Sequence, residues 1–257
     1  MEHMERNILL TIQYDGTTYS GWQRQPHLPT VQGEVEKVLT KLCAMPIRVE
    51  GSGRTDAGVH ALGQRATFHG EFSIPTDRIA FAGSNLLPPD IRITEAVEVP
   101  PGFHARFSAK GKKYTYRIVN SFQKDPFRRN YAYFVGGKLD EDAMRQGAAA
   151  MIGTHDFRCF QAAGQNPRED TVRTIYSLDI TRSGDTISLD VVGNGFLYNM
   201  VRIITGTLLD VATGKIRAED MRRIIKSKDR TRAGHTAPPR GLYLAEVYYE
   251  ERRKENG

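Results

Sequence analysis

Residues Gly53-Arg54-Thr55-Asp56-Ala57-Gly58-Val59-His60-Ala61 set one carboxylate, Asp56, beside a guanidinium, Arg54, with Gly53 and Gly58 on either side. Glycines let the backbone turn sharply and let a bulky ligand come close to it. Ile47-Arg48-Val49-Glu50 before the loop alternates like a strand, as does Gln64-Arg65-Ala66-Thr67-Phe68-His69 after it. A loop fixed by strands on both sides is a common place to present a catalytic side chain. The plainer role of an Asp in such a setting is to hydrogen-bond its own turn.

A second residue able to do chemistry is Arg202, in the nearly apolar run Phe196-Leu197-Tyr198-Asn199-Met200-Val201-Arg202-Ile203-Ile204. Breaking a buried ion pair costs about 3–5 kcal/mol, so a guanidinium in that setting needs a carboxylate or a route to water. Asp190 and Asp210 are the structural candidates. The functional candidate is Asp56, which a facing cation would keep ionised and oriented, as a carboxylate nucleophile requires.

Tyr114 and Tyr116, two apart on a strand, point to one face. They either cover a sheet or stack on an exposed base, the latter worth about 1–3 kcal/mol. Arg106, Lys110, Lys112, Lys113 and Arg117 flank them, a mixture that suits nucleic acid. Basic groups also gather at Lys124-Arg128-Arg129 and at Arg222-Arg223-Lys226-Lys228-Arg230-Arg232, where a solvated helix face is the plain alternative.

The elements that must position these residues follow from periodicity. A strand over residues 7–14 leads through a loop with Gly16, Gly21, Trp22 and Pro26 to a helix. That helix is N-capped by Thr30 and carries Val31, Val35, Val38, Leu39 and Leu42. The two strands around the Asp56 loop come next, then a helix from near Thr76 to before Pro88-Pro89 and a strand over 91–99. Strand, helix, strand, strand, helix, strand is the ferredoxin-like order.

The second half repeats that order with insertions. It has a strand over 112–120, a helix over 139–152 and a hairpin of 171–182 with 186–192. Helices over 196–213 and 218–226 and a strand over 242–250 follow. The fold class is therefore α+β, two ferredoxin-like units predicted to share an extended, mostly antiparallel sheet with a cleft between them. The border falls near Phe107 to Gly111, giving an N-terminal unit over 1–107 with the Asp56 loop. A C-terminal unit over 108–257 carries Tyr114 and Arg202.

Composition bounds the rest. The 257 residues, 39% of them hydrophobic, suffice for a substantial core. The net charge of +6 is compatible with a polyanionic partner. Cys43 and Cys159 lie far apart without zinc-ligand spacing, which points to buried thiols in a reducing compartment. No apolar run approaches the roughly 18 residues of a membrane span and no signal peptide is evident, so a cytoplasmic protein is expected. Met1-Glu2-His3 is set aside as an extension before Met4.

A phosphate loop needs Gly-Lys and then Ser or Thr, but Gly58 is followed by Val59 and His60. The dinucleotide fingerprint would put its third glycine at Asp56, and the zinc-deaminase signature is missing.

Taken in order, these segments resemble the tRNA pseudouridine synthase A family. Gly53 to His60 is similar to its catalytic loop, and Phe103-His104-Ala105-Arg106-Phe107-Ser108-Ala109 with Lys113-Tyr114-Thr115-Tyr116 to its second motif. Gly195 to Arg202 resembles the third, and Ala233-Gly234-His235-Thr236-Ala237-Pro238-Pro239-Arg240-Gly241-Leu242 the C-terminal signature. The variable segment 161–169 does not bear on the likeness.

The resemblance implies Asp56 as the essential aspartate, Tyr114 as the active-site tyrosine that stacks on the base, and Arg202 as the aspartate's partner. By the same analogy Arg54 fills the space of a displaced nucleotide and contacts its phosphate. It further implies a homodimer whose subunits each have a central basic cleft between their halves, no cofactor and no metal, and a tRNA substrate modified at positions 38, 39 and 40 of the anticodon arm. Two other classes stay in view: a non-catalytic RNA-binding module using its sheets as stacking platforms, and a small-molecule mutase.

Overall fold

The computed structural model of the protein describes residues 5–163 and 169–250. The extension before Met4 and most of the variable segment lie outside them. The chain divides into two compact units, one formed by residues up to Lys110 with those from Tyr243 onward, the other by Gly111–Leu242.

In the first unit, strand β1 (Arg6–Tyr14) is followed by helix α1 (Val31–Cys43), β2 (Glu50–Gly51), β3 (His60–Gly70), α2 (Thr76–Leu86) and β4 (Ile91–Val99). The ferredoxin-like order of elements is present, and β1 runs antiparallel between β3 and β4. Ile8, Leu10 and Ile12 of β1 sit opposite Phe68, Ala66 and Gln64 of β3. All of these except the amide Gln64 are apolar, and all are buried. Val31, Val35, Leu39 and Ile79 supply the helix side of the core. Thr30 caps α1, its hydroxyl accepting the Gly33 N–H at 3.3 Å.

Two features of the first unit differ from the sequence reading. The strand expected over 47–50 survives only as Glu50–Gly51, although Ile47 and Val49 are buried. The cause is that α1 takes its backbone groups. Thr40 Oγ1 accepts the Ile47 N–H, Glu36 Oε1 accepts the Val49 N–H, and Gln32 Nε2 donates to the Val49 carbonyl.

The last strand, β10 (Leu242–Tyr248), is the other difference. Sequence order assigns it to the second unit, but Tyr243 and Leu244 pair in parallel with His60 and Ala61 of β3. That ladder places Tyr243 onward in the first unit.

The second unit contains β5 (Gly111–Val119), β6 (Tyr133–Phe134), α3 (Glu141–Ala149), β7 (Gly153–Asp156), β8 (Val172–Ser183), β9 (Thr186–Gly193), α4 (Met200–Ala212) and α5 (Met221–Ser227). Strands β5, β9, β8 and β7 lie side by side, each pair antiparallel, with β6 parallel to β5. Tyr114, Tyr116 and Ile118 face Val191, Leu189 and Ile187, and these six side chains are buried. Helix α3 packs on α4 and on β8. The fold is thus α+β with mostly antiparallel strands.

Candidate active site

Asp56 lies on the loop between β2 and β3, half-buried, and the loop is tied from several directions. The Tyr14 phenol shares a 2.7 Å hydrogen bond with Thr55 Oγ1, and the Trp22 N–H donates to the Thr55 carbonyl at 3.0 Å. On the other flank, Gln64 Nε2 donates to the Gly53 carbonyl at 2.9 Å, while Gln64 Oε1 accepts from Ser52 Oγ at 2.7 Å. The Asp56 carbonyl accepts the Val59 N–H, closing a turn in which Gly58 takes φ +76°.

Burial pushes the Tyr14 phenol well above its ordinary range, against hydrogen bonds with Thr55 and Gln64, so it stays neutral. Gly21, at φ +92°, lies against the back of the loop. A Cβ there would stand 2.5 Å from the Thr55 oxygen and 3.1 Å from the Asp56 carbonyl carbon. His60, which ends the loop, is buried, accepts the Gly16 N–H on Nδ1 and stacks on Tyr243. Arg54 is exposed, with Nε donating to Gln23 Oε1.

In the second unit, Tyr114 is 8% exposed and meets Phe196 edge-on, ring centroids 5.2 Å apart. Alternation along β5 turns Lys113 and Arg117 to the face opposite Tyr114 and Tyr116. The expected basic and aromatic mixture is therefore divided between two faces. Tyr116 is a structural residue: fully buried, it donates to the Pro238 carbonyl at 2.7 Å. Burial raises its pKa above the ordinary range, with the charge of Arg202 acting in the opposite direction.

Arg202 occupies the first turn of α4. Its Nη1 donates to Asn199 Oδ1 and its Nε to the Ala237 carbonyl, both at 2.7 Å. The Ala237 N–H returns a bond to the Arg202 carbonyl. The structural alternatives raised by the sequence are engaged by other side chains. Asp190 holds Lys113 at 3.0 Å and Thr115, and Asp210 holds His235 and Lys215. The expected helix over 196–213 starts only at Met200, because Asn199 adopts a left-handed backbone, φ 59°.

The segment carrying Ala237 is itself fixed. Thr207 Oγ1 accepts the Gly234 N–H, Arg230 donates to the Gly234 carbonyl and to Thr236, and His235 lies near Asp210. Gly206 makes this contact feasible, since a Cβ there would sit 1.8 Å from the His235 oxygen.

The sites thus comprise a carboxylate on a tethered loop with an exposed cation beside it, and an oriented guanidinium with a ring on a strand of the same unit. The family model described as tRNA pseudouridine synthase matches residues 10–108 and 148–250, which take in the Asp56 loop, α4 and the 233–242 segment. The chain belongs to that family. Membership makes it an isomerase that converts uridine to pseudouridine in tRNA. The non-catalytic binding module is not favoured.

Curated relatives agree over nearly full length. A tRNA pseudouridine synthase A of Caldicellulosiruptor bescii is 48% identical over 244 residues, 95% of this chain and 100% of the relative. One of Halalkalibacterium halodurans is 50% identical over 238 residues, 92% of this chain and 90% of the relative. Among solved structures, the archaeal box H/ACA sRNP Nop10-Cbf5 complex matches at 12% identity with a TM-score of 0.33. The match covers 93% of this chain and 46% of that one, and at that score carries no argument.

Membership also gives context to residues that no sequence motif contains. Ser52, Gln64, Tyr14 and Trp22 hold the loop. The one signal for Gln64 was a polar residue at an inward position of an alternating strand. Phe196, the partner of Tyr114, lies within the third motif, where nothing in its type marks it as a ring contact. Cys43 and Cys159 are free, buried thiols, which burial pushes up to about 11 and about 12. No helix among the described residues is long and apolar enough to cross a membrane.

Proposed function

We propose that the protein isomerises uridine at positions 38, 39 and 40 of the tRNA anticodon arm, with Asp56 as the essential carboxylate. The target nucleotide leaves the stack at a cost of a few kcal/mol. Asp56 lets the N1–C1′ bond break. The freed uracil turns, C5 bonds to C1′, the C5 proton leaves, and N1 gains a proton. No electrons are exchanged and nothing is consumed. The observation that carries this reading is the tethering of the Asp56 loop by side chains from β1 and β3 and by the Trp22 backbone. An Asp that served only its own turn would need none of them.

Arg202 is the cation for Asp56, its Nη1 and Nε orientation fixed as above. Tyr114 offers its ring to the base and stands next to the C5 proton. Arg54, exposed beside the carboxylate, takes the place of the displaced nucleotide and meets its phosphate. The enzyme works as a cytoplasmic homodimer, without cofactor or metal.

The test is incubation of the purified protein with an unmodified tRNA transcript, chelator present, and chemical mapping of pseudouridine. Modification at 38–40 is expected, and Asp56→Asn should lower it roughly a thousandfold or more while tRNA binding survives. Full tRNA affinity with no release of the C5 hydrogen under any condition would reject the reading.

A further inference from the structure

The second unit contains a hollow of about 410 Å³ lined by Arg223, Lys226, Ser227, Asp229 and Arg232, at the junction of α5 with the turn Arg230–Arg232. It is shallow and open to solvent, so its cations rather than enclosure would hold a ligand. Three of the five lining groups are cations, whereas two other basic residues of the same stretch are already engaged. Arg230 is consumed by the Ala233 and Gly234 carbonyls and Thr236, and Lys228 by Asp156 at 2.9 Å. In the other basic cluster Arg128 holds Asp185 and Asp125, and Arg129 donates to the Pro126 carbonyl.

In the hollow, by contrast, Lys226 has no carboxylate within ion-pair reach among the described residues. Arg232 reaches Asp229 only at 3.9 Å. Arg223 touches Asp220 at 3.1 Å from an exposed position. The one acidic lining residue is engaged by the turn itself, since Asp229 accepts both the backbone N–H and the hydroxyl of Thr231. These bonds hold its pKa down, keeping it a structural carboxylate of the turn. The Ser227 hydroxyl donates to the Ile224 carbonyl and accepts the Asp229 N–H, which joins the helix end to the turn.

We propose that this hollow seats one phosphodiester of the RNA backbone, held by Lys226 and Arg232 with Arg223 at its rim. The proposal rests on the tRNA-modifying reading above. What singles out the site is its connection to Arg202. The turn that carries Arg232 runs on through Gly234, fixed to α4 by Thr207, to Ala237, whose carbonyl orients the Arg202 guanidinium. A phosphate seated here fixes the RNA relative to that side chain through a short, hydrogen-bonded stretch of one unit. Charge supplies the affinity and the tethered backbone supplies the register.

The test compares the full-length double variant Lys226→Gln/Arg232→Gln with Lys37→Gln/Lys41→Gln, which removes the same charge from exposed positions on α1. The expected result is that the slope of log affinity for tRNA against log salt falls by about 1 for the hollow variant alone. KM should rise about fivefold or more at low salt with kcat kept. Lys226→Arg/Arg232→Lys should restore both values, and circular dichroism melts should match the wild type.

An unchanged slope and KM in the hollow variant would overturn the proposal. So would equal losses in both variants, which would mean only net charge matters. Loss of inorganic phosphate binding by the hollow variant with tRNA binding intact would mark a small-anion site and overturn it too. A wild type that forms no pseudouridine would instead count against the catalytic reading, and the slope comparison would still decide the phosphate seat.

Discussion

The contact of Gly21 with the back of the Asp56 loop allows position to be separated from stability. In Gly21→Ala the new methyl would lie 2.5 Å from the Thr55 oxygen and 3.1 Å from the Asp56 carbonyl carbon. The shorter distance is about 1 Å inside ordinary contact, and the obstacle is backbone rather than a flexible side chain end. The Thr55–Asp56 peptide must therefore move by about that amount, or Gly21 must pull away and break the Trp22 N–H to Thr55 bond. A misplacement of about 1 Å costs on the order of a hundredfold in rate.

The same substitution carries a backbone penalty, because φ +92° is unfavourable for alanine by about 1–2 kcal/mol. Gly137→Ala isolates that penalty: φ is +86° there, and a Cβ would meet nothing within 4 Å. Single-turnover pseudouridine formation, read by tritium release from uridine labelled at C5, is measured beside urea unfolding for both variants. Gly137→Ala should lose about 1–2 kcal/mol and keep its rate. Gly21→Ala should lose more stability and about a hundredfold in rate while still folded. A folded Gly21→Ala with a rate within about threefold of wild type would show that the loop's position does not govern the chemistry.

Three further expectations concern stability. Tyr116→Phe removes the hydroxyl that serves the buried Pro238 carbonyl, and thermal or urea unfolding should show a loss of about 1–2 kcal/mol. Thr30→Ala removes the cap of α1 and should cost about 1 kcal/mol in the same assay. Asp156 opposes the upward pull of its burial with bonds from Thr171, Lys228 and the Arg158 N–H, and its pKa falls to about 2. Because that value lies below the roughly 3.9 of an unfolded Asp, the stabilisation is whole above about pH 4 and disappears as pH falls toward 2. Wild type should exceed Asp156→Asn by about 1–2 kcal/mol at pH 7, and the gap should close in acid unfolding curves below about pH 3.

Where local signals agreed with the tertiary demand, the sequence was readable. Thr30 before Val31 marks the start of α1, and Ile91, Ile93, Val97 and Val99 mark β4 despite the register shift between Ile93 and Glu95. It misled where a distant partner took over a local group. Ile47 to Glu50 alternates well, yet Gln32, Glu36 and Thr40 claim its backbone, so the apolar side chains are buried without a ladder. Strand β7, Gly-Thr-His-Asp, lacks any apolar alternation and exists because β8 pairs with it. The Asp56 loop was visible as a motif, since its residue types are unusual together, but its supports were not. Tyr14, Trp22 and Gln64 reach it from separate elements, and only Gln64 stood out against its pattern.

Those supports show why the loop depends on the core beneath it. Gln64 faces Ile12 across the β1–β3 ladder and is fully buried, so its amide can reach the loop only if that ladder keeps its register. A slip of one residue would turn Gln64 to the other face and take its bonds to Gly53 and Ser52 away together. The Ala237 segment behind Arg202 works by related means: Tyr116 rises from β5 to Pro238, and Thr207 from α4 to Gly234. In each unit a polar atom on a regular element holds the backbone of an irregular segment, and the side chain proposed for chemistry belongs to that segment or bonds to it. Precision at Asp56 and Arg202 is accordingly a property of the sheet and helix beneath them, transmitted through backbone carbonyls, and substitutions at Gln64 or Tyr116 should disturb placement without touching the RNA.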